Sequence, residues 1–149
     1  MKIISYKKYT DKVISRTLEL PLDKNGQPVG TELATVAGIT YVSIPASAVL
    51  PTQPSEIKAS VKTVVLTASE VASIKRVSPH VGLINNRVVD KIRVEYSAED
   101  ELKFARLSIA ALDPAITVSA ADKQASVAYQ AAVEAARAWG KVEKAKMGL

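Results

Sequence analysis

The stretch Ser78–Leu107, "SPHVGLINNRVVDKIRVEYSAEDELKFARL", decides how the second half of the chain folds. Ser78-Pro79 offers a cap and a first-turn proline, and Val81, Ile84, Val88 and Ile92 then recur on one helical face. Ser97 precedes Ala98-Glu99-Asp100-Glu101, acids that favour a helix N-terminus. Leu102, Ala105, Ile109 and Leu112 follow at steps of three and four, and Asp113-Pro114 stops that helix. Arg87, Asp90 and Lys91 have the spacing of exposed helical charge pairs. The stretch therefore predicts two helices.

Upstream, Thr67 and Glu70 form a capping box for an earlier helix. Downstream, Ser119 and Asp122 start a last one that runs towards Lys146. Before residue 67 the pattern is different. "TELATVAGITYVSIP" (Thr31–Pro45) reads as a hairpin around Ala37-Gly38, with glycine taking the left-handed position. "RTLELPL" (Arg16–Leu22) reads as an edge strand and Asp23–Pro28 as a turn through Asn25-Gly26. "ASAVLPTQPSE" (Ala46–Glu56) reads as an extended surface connector, and "IKASVKTVVL" (Ile57–Leu66) as a further strand. The expected fold class is α+β: a β-rich N-terminal unit with a Pro-rich connector over residues 1–66, and a helical unit with a long terminal helix over 67–149.

Composition excludes several chemistries. The chain of 149 residues has no cysteine and one histidine, so disulfides, thiolate zinc sites and cysteine nucleophiles are absent. No phosphate-cradling GxGxxG or GxxxxGK[ST] loop occurs, and no GxSxG. The start, "MKIISYKKYTDK", has too short an apolar stretch for a secretory signal, and nothing nears the roughly eighteen apolar residues of a membrane span. His80 stands at a helix start and needs no catalytic role to explain it. Glu99, Asp100 and Glu101 have oxygen ligands for a divalent cation, but three adjacent helical residues point in different directions. The net charge of +5 raises nucleic-acid binding, with Tyr6, Tyr9, Lys7, Lys8 and Lys12 as a small platform. The basic residues form no run, so no specific nucleic acid is expected, and no catalytic residue, cofactor or metal is assigned.

The last helix carries the strongest interaction signal. Ala128, Ala131, Ala135, Ala138, Val142, Ala145 and Leu149 follow steps of three and four, a heptad seam of mostly small residues. Tyr129, Val133 and Trp139 flank it. Such a seam permits close helix approach, either onto its own domain or onto a partner. The candidate interface is Ala128, Ala131, Ala135, Ala138, Trp139, Val142 and Ala145.

Ser78–Leu107 together with "AYQAAVEAARAWGKVEKAKMGL" (Ala128–Leu149) resembles a group of small, mostly unassigned proteins of tailed bacteriophages. The matching residues are Ser78, Pro79, His80, Ile84, Asn85, Arg87, Val88, Val89, Ile92, Arg93, Tyr96, Ser97, Asp100 and Glu101, then Arg137, Trp139, Gly140, Lys144 and Gly148-Leu149. The likeness covers about residues 78–149. It implies a virion protein of the tail tip, baseplate or fibres, made in the host cytoplasm, partnered by other virion proteins or by further copies of itself. A capsid-surface or head-fibre protein, an assembly chaperone, and a weak nucleic-acid-binding regulator are the alternatives. The resemblance supplies no catalytic residues.

Overall fold

The computed structural model describes residues 1–113 and 115–149, so Pro114, read above as part of a helix stop, lies outside the described residues. The fold is α+β: an antiparallel sheet followed by helices, the last of them long. Two compact units are present, one of residues 1–83 with 144–149 and one of residues 84–143. Strand gives way to helix near residue 67, but the compact units divide after Leu83 and Glu143.

In the first unit, strand β1 (Lys2–Tyr6) lies between β5 (Ile39–Ile44) and β6 (Lys62–Val64), and β4 (Thr31–Val36) forms the outer edge beside β5. All pairings are antiparallel, with Ile4 opposite Val42 and Thr63. Both faces of β1 are covered. Ile4 and Tyr6 pack with Leu18, Val42, Ile44 and Ile57, while Ile3 packs with Leu33, Ala34, Tyr41 and Ile74. A strand buried on two sides needs no polar alternation, so "KIISY" lacks the period-two signal of a half-exposed strand. The hairpin closes through Ala37 and Gly38, with φ of 49° and 78°. Positive φ at both central residues suits the right-handed twist of the flanking strands.

Two strand expectations, the connector and one turn need correction. Of Arg16–Leu22 only Arg16 is in a strand: β3 (Ser15–Arg16) pairs with β2 (Tyr9–Thr10) in a separate two-stranded ribbon. Beyond it, the Gln53 side chain accepts from Glu19 N at 2.9 Å and donates to Glu19 O at 3.0 Å, filling the place of a neighbouring strand. Ile57 belongs not to a strand but to the short helix α1 (Ser55–Lys58), where the Pro54 carbonyl accepts from Ile57 N and Lys58 N. The connector is not wholly on the surface, since Ala48 and Leu50 pack on the core while Val49 is exposed. In the turn after Pro21 only Gly26 has positive φ, and the Asp23 carboxylate accepts from Asn25 N and Gln27 N.

Helix α2 (Ala68–Val77) starts with the expected capping box. The Thr67 hydroxyl accepts from Glu70 N, and the Glu70 carboxylate accepts from Thr67 N at 2.8 Å. The Thr67 N–H and the Thr67 hydroxyl, both donating to it, hold the Glu70 carboxyl below its ordinary pKa. Helix α3 (Pro79–Arg93) follows directly. Ser78 C=O accepts the first helical bond, from Gly82 N, but the buried Ser78 hydroxyl makes no hydrogen bond among the described residues, so the expected side-chain cap is not formed.

Candidate functional site

Helix α4 (Ala98–Ala110) and most of α5 (Ala120–Lys146) belong to the second unit. Ser97 caps α4 reciprocally with Asp100, whose carboxyl is lowered by the Ser97 hydroxyl and N–H. Ser119 caps α5 through Asp122 N at 3.0 Å. The centre of the unit is aromatic. Phe104 stacks on Tyr129 at 5.0 Å, and Tyr96 meets both rings edge-on at 5.9 and 5.2 Å. Geometry of this kind adds stabilisation beyond area burial.

Helix α5 faces that centre and α3 with Tyr129, Ala136 and Gly140. A Cβ on Gly140 would lie 2.6 Å from Val88 Cγ2, so the missing side chain is what lets the two helices approach. Read from sequence, Gly140 is only a weak helix former. Its packing role needs knowledge of which face turns inward.

The heptad seam lies on the opposite side. Ala128, Ala131, Ala135, Ala138 and Ala145 are all exposed, and Val142 is 55% exposed. Leu149 leaves the seam. It follows a Schellman stop, with Gly148 at φ 82°, Gly148 N bonded to Ala145 O and Leu149 N to Lys144 O, and it packs on the sheet core beside Ile3. Of the flanking bulk, Tyr129 is committed to the aromatic centre and Val133 is half-buried. Trp139 is half-buried with Lys91 Nζ 4.7 Å from its ring centroid. Lys91 therefore serves the indole face rather than pairing with a helix acid. Beside Trp139 runs an open groove of about 500 Å³, lined by Lys91, Val94, Glu95, Ala132, Ala135 and Ala136.

The other candidates are dispersed. His80 is exposed and, among the described residues, makes no side-chain hydrogen bond or ion pair. In the acidic trio Asp100 turns back to Ser97 and Glu101 lies 3.8 Å from Arg93. Among the described residues no cluster of three or more His, Asp or Glu is placed to hold a metal ion. The basic N-terminal platform loses Tyr6 to the core, where burial pushes its hydroxyl pKa up. Lys8 is tied to Glu32 at 2.7 Å, and the Tyr9 hydroxyl donates to Asp11. No described helix is long and apolar enough to cross a membrane.

Sequence reading missed a second outward face. Leu102, Ala105, Ile109 and Leu112, taken above as the apolar rhythm of one helix, point away from the aromatic centre and are exposed, and Phe104 supplies the buried contact instead. Comparison with family models, curated proteins and solved structures finds no match to this chain.

Proposed function

We propose that the chain is a non-enzymatic structural or adaptor subunit of a tailed-bacteriophage virion, seated in the tail, baseplate or fibres and present in repeated copies. The observation that carries the assembly part is the outward seam of α5, six small or β-branched positions from Ala128 to Ala145 left without cover in the isolated chain. A stable monomer rarely leaves a contiguous apolar face in water, and small residues let a partner helix come to about 8–10 Å between axes. The resemblance of residues 78–149 to small phage proteins supports the virion part. In this reading the α5 seam docks on a neighbour, and Trp139 with its Lys91 partner anchors the edge.

Quantitative mass spectrometry of purified particles tests it. A fixed number of copies per particle is expected. A chain abundant in infected cells and missing from finished particles would overturn the virion subunit and favour an assembly chaperone.

A further inference from the structure

Of the chain's three asparagines, Asn25, Asn85 and Asn86, only Asn25 precedes a glycine. Such a pair is chemically labile. The backbone nitrogen of the second residue can attack the side-chain amide of the first, and glycine puts no Cβ in its way. The surroundings of Asn25 are open as well. Residues 22–28 are exposed, and nothing lies within 4 Å of where a Cβ on Gly26 would stand. Among the described residues the Asn25 carboxamide makes no hydrogen bond. The backbone, by contrast, is held. Gly26 N donates to Asp23 O at 3.0 Å, and Asp23 N donates to Gln27 O at 2.8 Å. The Asp23 carboxylate accepts from Asn25 N at 2.8 Å and from Gln27 N at 2.9 Å. The nitrogen that would attack is therefore engaged by Asp23. Asn85 and Asn86 are exposed too, but both lie inside α3, where the following N–H belongs to the helical ladder.

We propose that Asn25 is a site of spontaneous covalent modification, converting without an enzyme to aspartate and isoaspartate, and that the Asp23 turn sets its rate. The Gly26 nitrogen bonds to Asn25 Cγ. The bond from Cγ to the side-chain nitrogen breaks, and that nitrogen leaves as ammonia with the proton of the Gly26 N–H. A five-membered succinimide remains. Water is the one co-reactant and no electrons are transferred. Water adding at Cγ breaks the new bond and gives aspartate. Water adding at the main-chain carbonyl of Asn25 breaks the old peptide bond and gives isoaspartate. Either product carries a new negative charge, and isoaspartate adds a methylene to the main chain. That lengthens a loop closed by the bond from Asp23 N to Gln27 O and by the bridge of Leu22 to Pro28. The reaction needs the turn open, so its rate follows the open population. The inference is independent of the assembly reading.

The test incubates the full chain in warm, mildly alkaline buffer beside Asp23→Ala, Asp23→Asn and a synthetic peptide of residues 20–32. Digestion after glutamate releases that same segment from the protein, between Glu19 and Glu32. Mass spectrometry then reads the exchange of amide nitrogen for oxygen at each asparagine, and chromatography separates the isoaspartyl form. The parent is expected to gain the modification at Asn25 and not at Asn85 or Asn86, more slowly than the peptide. Asp23→Ala loses two bonds to a charged acceptor and should react about tenfold faster than the parent. Asp23→Asn keeps an acceptor in place and should stay nearer the parent than Asp23→Ala. Thermal unfolding of both variants should match the parent, since the turn is exposed. If Asp23→Ala fails to fold, the parent against the peptide decides. A parent unmodified at Asn25 when the peptide is fully converted and Asp23→Ala nearly so would overturn the proposal. So would a parent that reacts as fast as the peptide, a folded Asp23→Ala that reacts at the parental rate, or modification of Asn85 or Asn86 ahead of Asn25.

Discussion

Gly140→Ala should destabilise the helical unit, although alanine is the better helix former. The added Cβ would sit 2.6 Å from Val88 Cγ2 and 3.7 Å from Ile84 Cγ2. Carbon pairs prefer about 3.5–4.0 Å, so the first contact is short by roughly 1 Å. Val88 is β-branched and held near one rotamer in its helix, so it does not swing aside cheaply. Overpacking of this kind costs about 1–3 kcal/mol. The gain in helix propensity returns about 0.8–1.0 kcal/mol. The balance is a net loss of up to about 2 kcal/mol. In a Val88→Ala background the obstructing Cγ2 is gone, only the ordinary Ile84 contact remains, and the same substitution should stabilise by about 1 kcal/mol. The assay is urea unfolding followed by the fluorescence of Trp139, the chain's only tryptophan, which lies in that unit. Gly140→Ala stabilising equally in both backgrounds would refute the close approach of α3 and α5.

Three further outcomes are expected. Ser97→Ala should cost about 0.5–2 kcal/mol by removing an N-cap, read as a lower urea midpoint with unchanged slope. Acid should act through the same caps: the carboxyls of Glu70, Asp100 and Asp122 are depressed in the folded chain, so their contribution is complete above the ordinary carboxylate range and is lost as pH falls through their lowered values. Thermal stability measured downward from about pH 5 should therefore decline below about pH 4, less steeply in Asp100→Ala; equal slopes in both chains would remove Asp100 from the explanation. Nucleic-acid binding, measured by anisotropy on a random oligonucleotide pool, should vanish below physiological salt, and sequence-selective binding that survives about 150 mM salt would revive the regulator reading.

How far the sequence reached depended on whether a signal was local. The capping residues Thr67, Ser97 and Ser119 act within one turn of their own helix, and all three form the expected bonds. The Ala37-Gly38 hairpin is equally local. Strand β1 was not legible, because its two-sided burial depends on a partner forty residues away and removes the alternation that marks a strand. Ile57 was misread because its run of β-branched neighbours favours a strand while Pro54, just before it, sets a helical turn. On α4, Phe104 and the Leu102–Ile109 stripe are both apolar at helical spacing, and only tertiary packing decides which turns inward. The α5 seam was legible as a face, but its direction was not: the side facing the rest of the unit is set by Tyr129 and by the space left at Gly140.

The central claim, that the outward face of α5 serves assembly rather than the fold of its own chain, is met most directly by one paired measurement on Ala135→Arg: thermal unfolding of the isolated chain, and recovery of the same variant in purified particles. Ala135 is exposed, so the account predicts a change within about 0.5 kcal/mol, or roughly 1–2 °C in Tm, together with loss from particles. A clearly lowered Tm with incorporation at the parental level would contradict it.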